Sequence, residues 1–268
     1  MLLAWIKTND CNHCNAQLFP DCECLTSSNN HSNSDLPLPF SQCATYTDFE
    51  SHVDKLMSND LSLLHCNIRS LYKNIDKLEE IITPCWKPPD IIALSETRIK
   101  DTSIEAALPG YNFINENPQP QAGDVGAYIK NNLKYRQRHD LQFKLCGCEK
   151  LWLELLGTKK RQKIIVGIMY RNPQYNIDEF SQSFSETITK IANNSCEYYV
   201  LGDVNINLLN ATNIIRIQQY IDTLCSLGCY PVLNKPARVV NEIETCIDHN
   251  YHKEFIHWNK TSYYGAWP

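Results

Sequence analysis

From Leu61 onward the chain alternates short apolar runs with stretches of helical periodicity. Leu61 to Cys66 is a nearly continuous apolar run of strand length. Leu71, Ile75, Leu78, Ile81 and Ile82 then recur at the three-to-four-residue interval of an amphipathic helix, which Pro84 ends. Asp90-Ile-Ile-Ala-Leu94 predicts a buried strand and Val125 to Ile129 a further one. Leu151 to Leu156 and Ile164 to Tyr170, joined through Gly157-Thr-Lys-Lys-Arg-Gln-Lys163, read as a hairpin. Phe180, Phe184, Ile188 and Ile191 mark a second helix, Tyr198 to Leu201 a core strand, and Ile214, Ile217, Ile221 and Leu224 a third helix. A last strand runs near Cys246 to Asn250, and no internal repeat is visible. Strands interleaved with helices, plus a hairpin, predict an α/β (layered α+β) fold rather than a bundle or an all-β sandwich.

The first 60 residues follow a different pattern, with five of the thirteen cysteines and the polar tract Thr26 to Asp35 followed by Leu36-Pro-Leu-Pro-Phe40. The tract reads as a linker. Cys11, Cys14, Cys22 and Cys24 supply enough thiolates for a tetrahedral Zn2+, but Cys22-x-Cys24 is not a paired-knuckle spacing. An irregular segment without metal is the alternative. The opening Met1-Leu-Leu-Ala-Trp-Ile reaches Lys7 after six residues, too short for the apolar region of a signal peptide. The expected compartment is therefore reducing, nucleus or cytoplasm, with the cysteines acting as small hydrophobes. No apolar run approaches the roughly 18 residues of a membrane helix, so no membrane partner is expected. With 25 Lys+Arg against 30 Asp+Glu, the net charge of −5 argues against coating nucleic acid by bulk charge and leaves room only for a local basic strip.

Several core strands finish on a polar residue for which a core has no use. The run at 61–66 ends in Asn67, 90–94 leads to Glu96, the hairpin strand ends in Tyr170-Arg171, and Val200-Leu201-Gly202 opens onto Asp203 and Asn205. Any one of them could be an ordinary turn residue. Together they suit a common rim, because strands of one sheet deliver their ends to one edge of the fold. Carboxylates and amides at such a rim favour a hard cation such as Mg2+. A tyrosine hydroxyl and an amide can hold phosphate oxygens while a carboxylate aligns or deprotonates water. The chemistry this kit points to is metal-assisted phosphodiester hydrolysis.

Leu64-His-Cys-Asn-Ile-Arg-Ser-Leu71, Asp90 to Thr97, Leu108 to Ile114, Ile168-Met-Tyr-Arg-Asn-Pro173, Leu201-Gly-Asp-Val-Asn-Ile-Asn-Leu-Leu209 and Thr245-Cys-Ile-Asp-His249 form an ordered set. The set resembles the endonuclease/exonuclease/phosphatase superfamily, specifically the apurinic-type endonuclease domain of non-LTR (LINE-like) retrotransposons. The resemblance covers about residues 46 to 250. It implies a two-sheet β-sandwich flanked by helices on both outer faces, Mg2+ with Mn2+ as a substitute, and DNA as substrate. Asn67 and Glu96 match the metal-site residues, with Glu96 the direct carboxylate ligand. Tyr170 matches the residue that contacts the scissile phosphate, and Asp203 the aspartate that positions or deprotonates water. Asn205 matches the amide that steadies the transition state, and Asp248 the carboxylate that orients the catalytic histidine.

The chain departs from this pattern at its end, because it contains no Ser-Asp-His element. His249 adjoins Asp248 on a strand, where successive side chains face opposite ways, so it is a poor substitute; His257 in the irregular tail is another candidate. The resemblance thus implies a truncated copy with its last strand missing and an unpaired strand edge. The expected organisation is a largely disordered Cys-containing segment and linker at 1–45, the endonuclease domain at 46–252, and an unrelated tail at 253–268. The resemblance also leads one to expect a reverse transcriptase domain as partner in an intact element, and none within these 268 residues. Two functions follow: a target-site-nicking endonuclease impaired by the loss, or an inactive fragment with weak metal and DNA binding. Arg171 and Arg238, next to motif residues, are the candidate DNA-backbone contacts. Two basic clusters, Lys130/Lys134/Arg136/Arg138 and the hairpin tip Lys159/Lys160/Arg161/Lys163, either track phosphates or are solvated charges.

Overall fold

The computed structural model describes residues 3–7, 42–44, 61–85, 87–99, 106–115, 123–157, 163–194, 196–231, 238–240, 243–253 and 261–264. In chain order the strands are β1 (Leu3–Lys7), β2 (Gln42–Ala44), β3 (Ser62–Asn67), β4 (Ile91–Ser95), β5 (Tyr111–Asn115), β6 (Val125–Lys130), β7 (Lys134–Gln137) and β8 (Cys148–Leu156). They continue as β9 (Ile164–Arg171), β10 (Glu197–Asp203), β11 (Tyr230–Pro231), β12 (Arg238–Val240), β13 (Ile243–Thr245), β14 (Asp248–His252) and β15 (Thr261–Tyr264). The helices are α1 (Leu71–Ile82), α2 (Ile177–Ala192) and α3 (Ile215–Ser226). One sheet has the order β2-β15-β1-β3-β4-β6-β5 and the other β11-β14-β10-β9-β8-β7, with β12 and β13 forming a separate ribbon.

The period-2 alternation of the strands sorts their side chains into layers. Leu63, Ile91, Ala93, Val125, Ala127 and Ile129 of the first sheet pack against Leu151, Leu153, Val166, Ile168, Tyr199 and Leu201 of the second. The alternate residues Leu64, Cys66, Ile92, Leu94 and Tyr128 turn outward onto Leu71, Leu78, Ile81 and Ile82 of α1. On the other outer face, Trp152, Ile165, Met169, Tyr198, Val200 and Tyr251 meet Phe180, Phe184, Ile188 and Ile191 of α2 and Ile217, Tyr220 and Leu224 of α3. The result is a four-layer helix–sheet–sheet–helix sandwich. The central strands β3, β4, β6, β8, β9 and β10 are buried on both faces, which is why their runs look continuously apolar.

Three features differ from the sequence expectation. The edge of β3 that lacks a terminal strand in the sequence is paired antiparallel with β1, and β15 lies antiparallel beyond β1. Unpaired backbone on a core strand is costly, and Leu3-Ala-Trp-Ile6 is a run that extended structure suits. The 1–45 and 253–268 segments therefore contribute strands at 3–7, 42–44 and 261–264. The strands β5 and β7 escape the apolar pattern because they lie at sheet edges and are only partly buried. Ile214 precedes α3 and is exposed, so the buried face of that helix begins at Ile217. Among the described residues no helix is long and apolar enough to cross a membrane.

Candidate active site

At one end of the inter-sheet layer the inward rows change from apolar to polar. Across the second sheet, strand register places Glu149 of β8 opposite Tyr170 of β9, Tyr170 beside Asp203 of β10, and Asp203 opposite Asp248 of β14. Facing this row is Asn67, the last residue of β3. Its Nδ2 donates to Glu96 Oε1 at 2.9 Å and to Asp203 Oδ2 at 2.7 Å. One amide thus ties residues from both sheets, 136 positions apart for the longer link.

The two strand exits are knitted together by backbone bonds. Ile68 N donates to Ser95 O (3.0 Å), Ser70 N to Glu96 O (2.8 Å) and Leu71 N to Thr97 O (2.9 Å). Arg69, Ser70, Glu96 and Arg98 all hold positive φ, a conformation non-glycine residues adopt only where surroundings impose it. That geometry turns the Glu96 carboxylate toward Asn67, while the Arg98 guanidinium pairs with its other oxygen. Asn67 Oδ1 is buried with no partner among the described residues, which fits an oxygen ligand for a hard cation beside Glu96. No three His, Cys, Asp or Glu side chains converge to a metal centre among the described residues, so any cation site here depends on the amide as well.

Asp203 is 2% exposed and also accepts from Asn205 N at 3.2 Å. Asn205 holds a φ of 53° and its Nδ2 donates to Arg171 O at 2.8 Å. Arg171 corrects the sequence expectation of a DNA contact: it is 1% exposed and faces the helical layer rather than the rim. Its guanidinium donates to the carbonyls of Val204 (2.7 Å), Asn205 (2.8 Å), Tyr175 (2.6 Å) and Asn172 (3.3 Å), spending four of its five N–H donors inside the protein. It clamps the turn that carries Asn205 behind Asp203. Burial lowers its pKa, which its neighbours' negative charges oppose.

Tyr170 is held protonated, its pKa pushed up to about 12 by burial first and then by the Glu96, Asp203 and Glu149 charges. A Cβ at Gly123 would lie 2.8 Å from the Tyr170 ring, so that glycine lets the backbone back the phenol closely. Glu149, 7% exposed, has its pKa raised to about 7, mainly by burial and next by Asp124. The sequence gives no hint of Glu149, since it opens an apolar strand. Asp248 is 3% exposed in the same row. His249 turns away, as strand alternation requires: Nε2 lies 2.8 Å from Ile206 O and Nδ1 2.6 Å from Tyr251 OH, on the helical side.

Comparison with solved structures decides the fold. The endonuclease domain of TRAS1, a telomere-specific non-LTR retrotransposon, superposes with a TM-score of 0.54 at 15% identity, over 72% of this chain and 84% of that one. The apurinic endonuclease LMAP of Leishmania major gives 0.59 at 15% identity, over 80% and 84%. This chain has the endonuclease/exonuclease/phosphatase fold. The APE2 catalytic domain of Xenopus laevis is similar too, at 0.52 and 14% identity over 71% and 81%. No family model and no curated protein matches the sequence.

Within that fold three of the four residues of the first basic cluster, Lys130, Arg136 and Arg138, are paired with carboxylates. Arg136 reaches Glu154 through three contacts of 2.8–3.1 Å, Arg138 bonds Glu154 and Asp140 at 2.7 Å each, and Lys130 bonds Asp90 at 3.0 Å. These charges are spent on the β7–β8 edge and the β6 end. Arg238 lies in the β12–β13 ribbon, opposite Thr245, with its side chain outside the described residues. The hairpin tip at 159–161, the Cys11 to Cys24 group and His257 also lie outside them.

Proposed function

We propose that this chain is a divalent-cation-dependent phosphodiesterase that nicks DNA, an endonuclease of the non-LTR retrotransposon kind. The observation that carries the reading is the Asn67 amide bridging Glu96 and Asp203 across the two sheets. Support comes from solved structures of the same fold, which are named as a retrotransposon endonuclease domain and an AP endonuclease. Glu96 and the Asn67 amide oxygen would hold Mg2+, or Mn2+ in its place. The bound cation supplies charge stabilisation at the phosphate oxygens. Asp203 orients and deprotonates the attacking water from a position fixed by Asn67 and Asn205 N. Tyr170, protonated at neutral pH, donates its phenolic proton in a hydrogen bond to the phosphate, and Asn205 steadies the developing charge beside it. In an intact element the nick would supply a primer end to a reverse transcriptase.

Supercoiled plasmid incubated with the protein and Mg2+ is expected to relax to open circles, and Glu96→Ala is expected to abolish this. Nicking that persists in Glu96→Ala overturns the assignment. A second reading, binding without cleavage, is favoured by the burial of both described site-proximal histidines: His65 is 0% and His249 1% exposed, so neither imidazole reaches a phosphate. Retention of plasmid in a filter assay without open circles would select that reading.

A further inference from the structure

The roles assigned above leave His65 unused. It precedes Asn67 by two residues on β3, so both side chains enter the inter-sheet layer, as Leu63 does. The ring is fully buried, with Nε2 3.2 Å from Ser95 Oγ on β4 and Nδ1 3.9 Å from Asp248 Oδ1 on β14 of the opposite sheet. Asp248 is the register neighbour of Asp203. Strand β3 therefore reaches across the gap twice, with Asn67 addressing Asp203 and His65 addressing Asp248, and the two receiving carboxylates lie side by side.

Two adjacent buried carboxylates repel each other unless each has a donor. A neutral imidazole carries a single N–H. If Nε2 accepts from the Ser95 hydroxyl, that proton sits on Nδ1, the nitrogen facing Asp248. The other buried histidine among the described residues, His249, engages Ile206 O and Tyr251 OH on the helical side. A separation of 3.9 Å exceeds a hydrogen bond and is within range of a dipole–carboxylate attraction. Bonds of this sort in hydrolytic sites are often long before substrate arrives.

We propose that His65, as its Nδ1–H tautomer, is a positioning residue for the hydrolysis: it holds Asp248 and, through the β14–β10 pairing, sets the neighbouring Asp203 where Asn67 bridges it to Glu96. This rests on the functional reading above. His65 touches no substrate, since it is sealed beneath the rim. An apolar side chain would fill its volume but remove the ring nitrogen that faces Asp248 Oδ1, whereas a glutamine amide can both donate to Asp248 and accept from Ser95.

The test is steady-state nicking by the full chain with Mg2+, in His65→Leu and His65→Gln, beside 15N NMR of the histidine side chains. His65→Leu is expected to lower kcat by about 10- to 100-fold, the usual effect of losing a partner that orients a site ligand, with KM for DNA unchanged. His65→Gln is expected to recover most of the loss. The His65 Nδ1 is expected to be the protonated nitrogen, with its resonance displaced in Asp248→Asn. Wild-type kcat in folded His65→Leu, no recovery in His65→Gln, or a protonated Nε2 each overturns the proposal. A wild-type chain that never nicks overturns the functional reading and the positioning role with it, while an Asp248-sensitive Nδ1–H still upholds the pairing.

Discussion

Two rows of the second sheet, two residues apart on the same strands, differ in almost every property. The deeper row, Leu151, Ile168 and Leu201, is wholly buried and packs against the apolar face of the first sheet. The outer row, Glu149, Tyr170, Asp203 and Asp248, is also largely buried but carries three carboxyl groups and a phenol. Backbone register is the same in both, so the change is due to side chains alone. Burying apolar groups stabilises a fold by roughly 1.5–3 kcal/mol for each large residue, whereas burying several carboxyls costs stability unless donors or cations offset it. The side-chain amide of Asn67 and the backbone amide of Asn205 are such donors to Asp203, and His65 is the one proposed for Asp248. A row that folding alone would not select is best explained by chemistry.

That contrast can be broken from either side. The largest effect is expected for Asp203→Ala, which should reduce nicking by at least about a thousand-fold, as loss of a central catalytic group does, while leaving thermal unfolding near wild type. Leu201→Ala, one step deeper, should do the reverse: a loss of about 2–5 kcal/mol in denaturant unfolding, with the rate per folded molecule little changed. Equal behaviour of the two variants would erase the distinction between the rows. Next in size is the pH response of Glu149. Its folded pKa of about 7 lies above the ordinary 4.5, so the folded state binds the extra proton between those values. The stability this confers is present in full below about pH 4.5 and is lost as pH rises through 7. Asp124 and Lys150, the nearest charges acting on it, work in opposite directions. Unfolding free energy should therefore fall across that window by about 2–3 kcal/mol, and Glu149→Gln should flatten the decline. Smallest is the effect at the exposed end of the Arg136–Glu154 pair. Arg136→Gln should cost less than about 1 kcal/mol and leave the salt dependence of DNA binding unchanged, because the charge is already paired. Arg171→Lys, by contrast, removes a fork that serves four carbonyls and should destabilise the Asn205 turn by about 2 kcal/mol or more.

The layering and most of the outer row are legible in the sequence for one reason: apolar runs that end abruptly on Asn67, Tyr170 or Asp203 show both the strand and its polar terminus. Glu96 is legible only with the motif around it, since it lies beyond β4 in a turn whose positive φ no local pattern announces. His65 and Glu149 are not legible, because one polar residue inside an apolar run looks like a tolerated core exception. Their significance comes from cross-strand register, and register between distant strands is absent from local periodicity. The assignment of Arg171 to DNA failed for the same reason: adjacency to Tyr170 in sequence puts it on the opposite face of β9. The partner of β3's free edge was also hidden, since β1 lies 55 or more residues upstream and its five-residue run is too short to stand out.

The most direct test of the central claim, that Glu96 and Asn67 beside this polar row form a hard-cation site, is a Mn2+ titration of the full chain followed by electron paramagnetic resonance, in wild type and in Glu96→Gln. A stoichiometric Mn2+ site in wild type that Mg2+ displaces, and that is lost in a folded Glu96→Gln, is the predicted result. Equal Mn2+ binding by both proteins, or none by folded wild type, would contradict it.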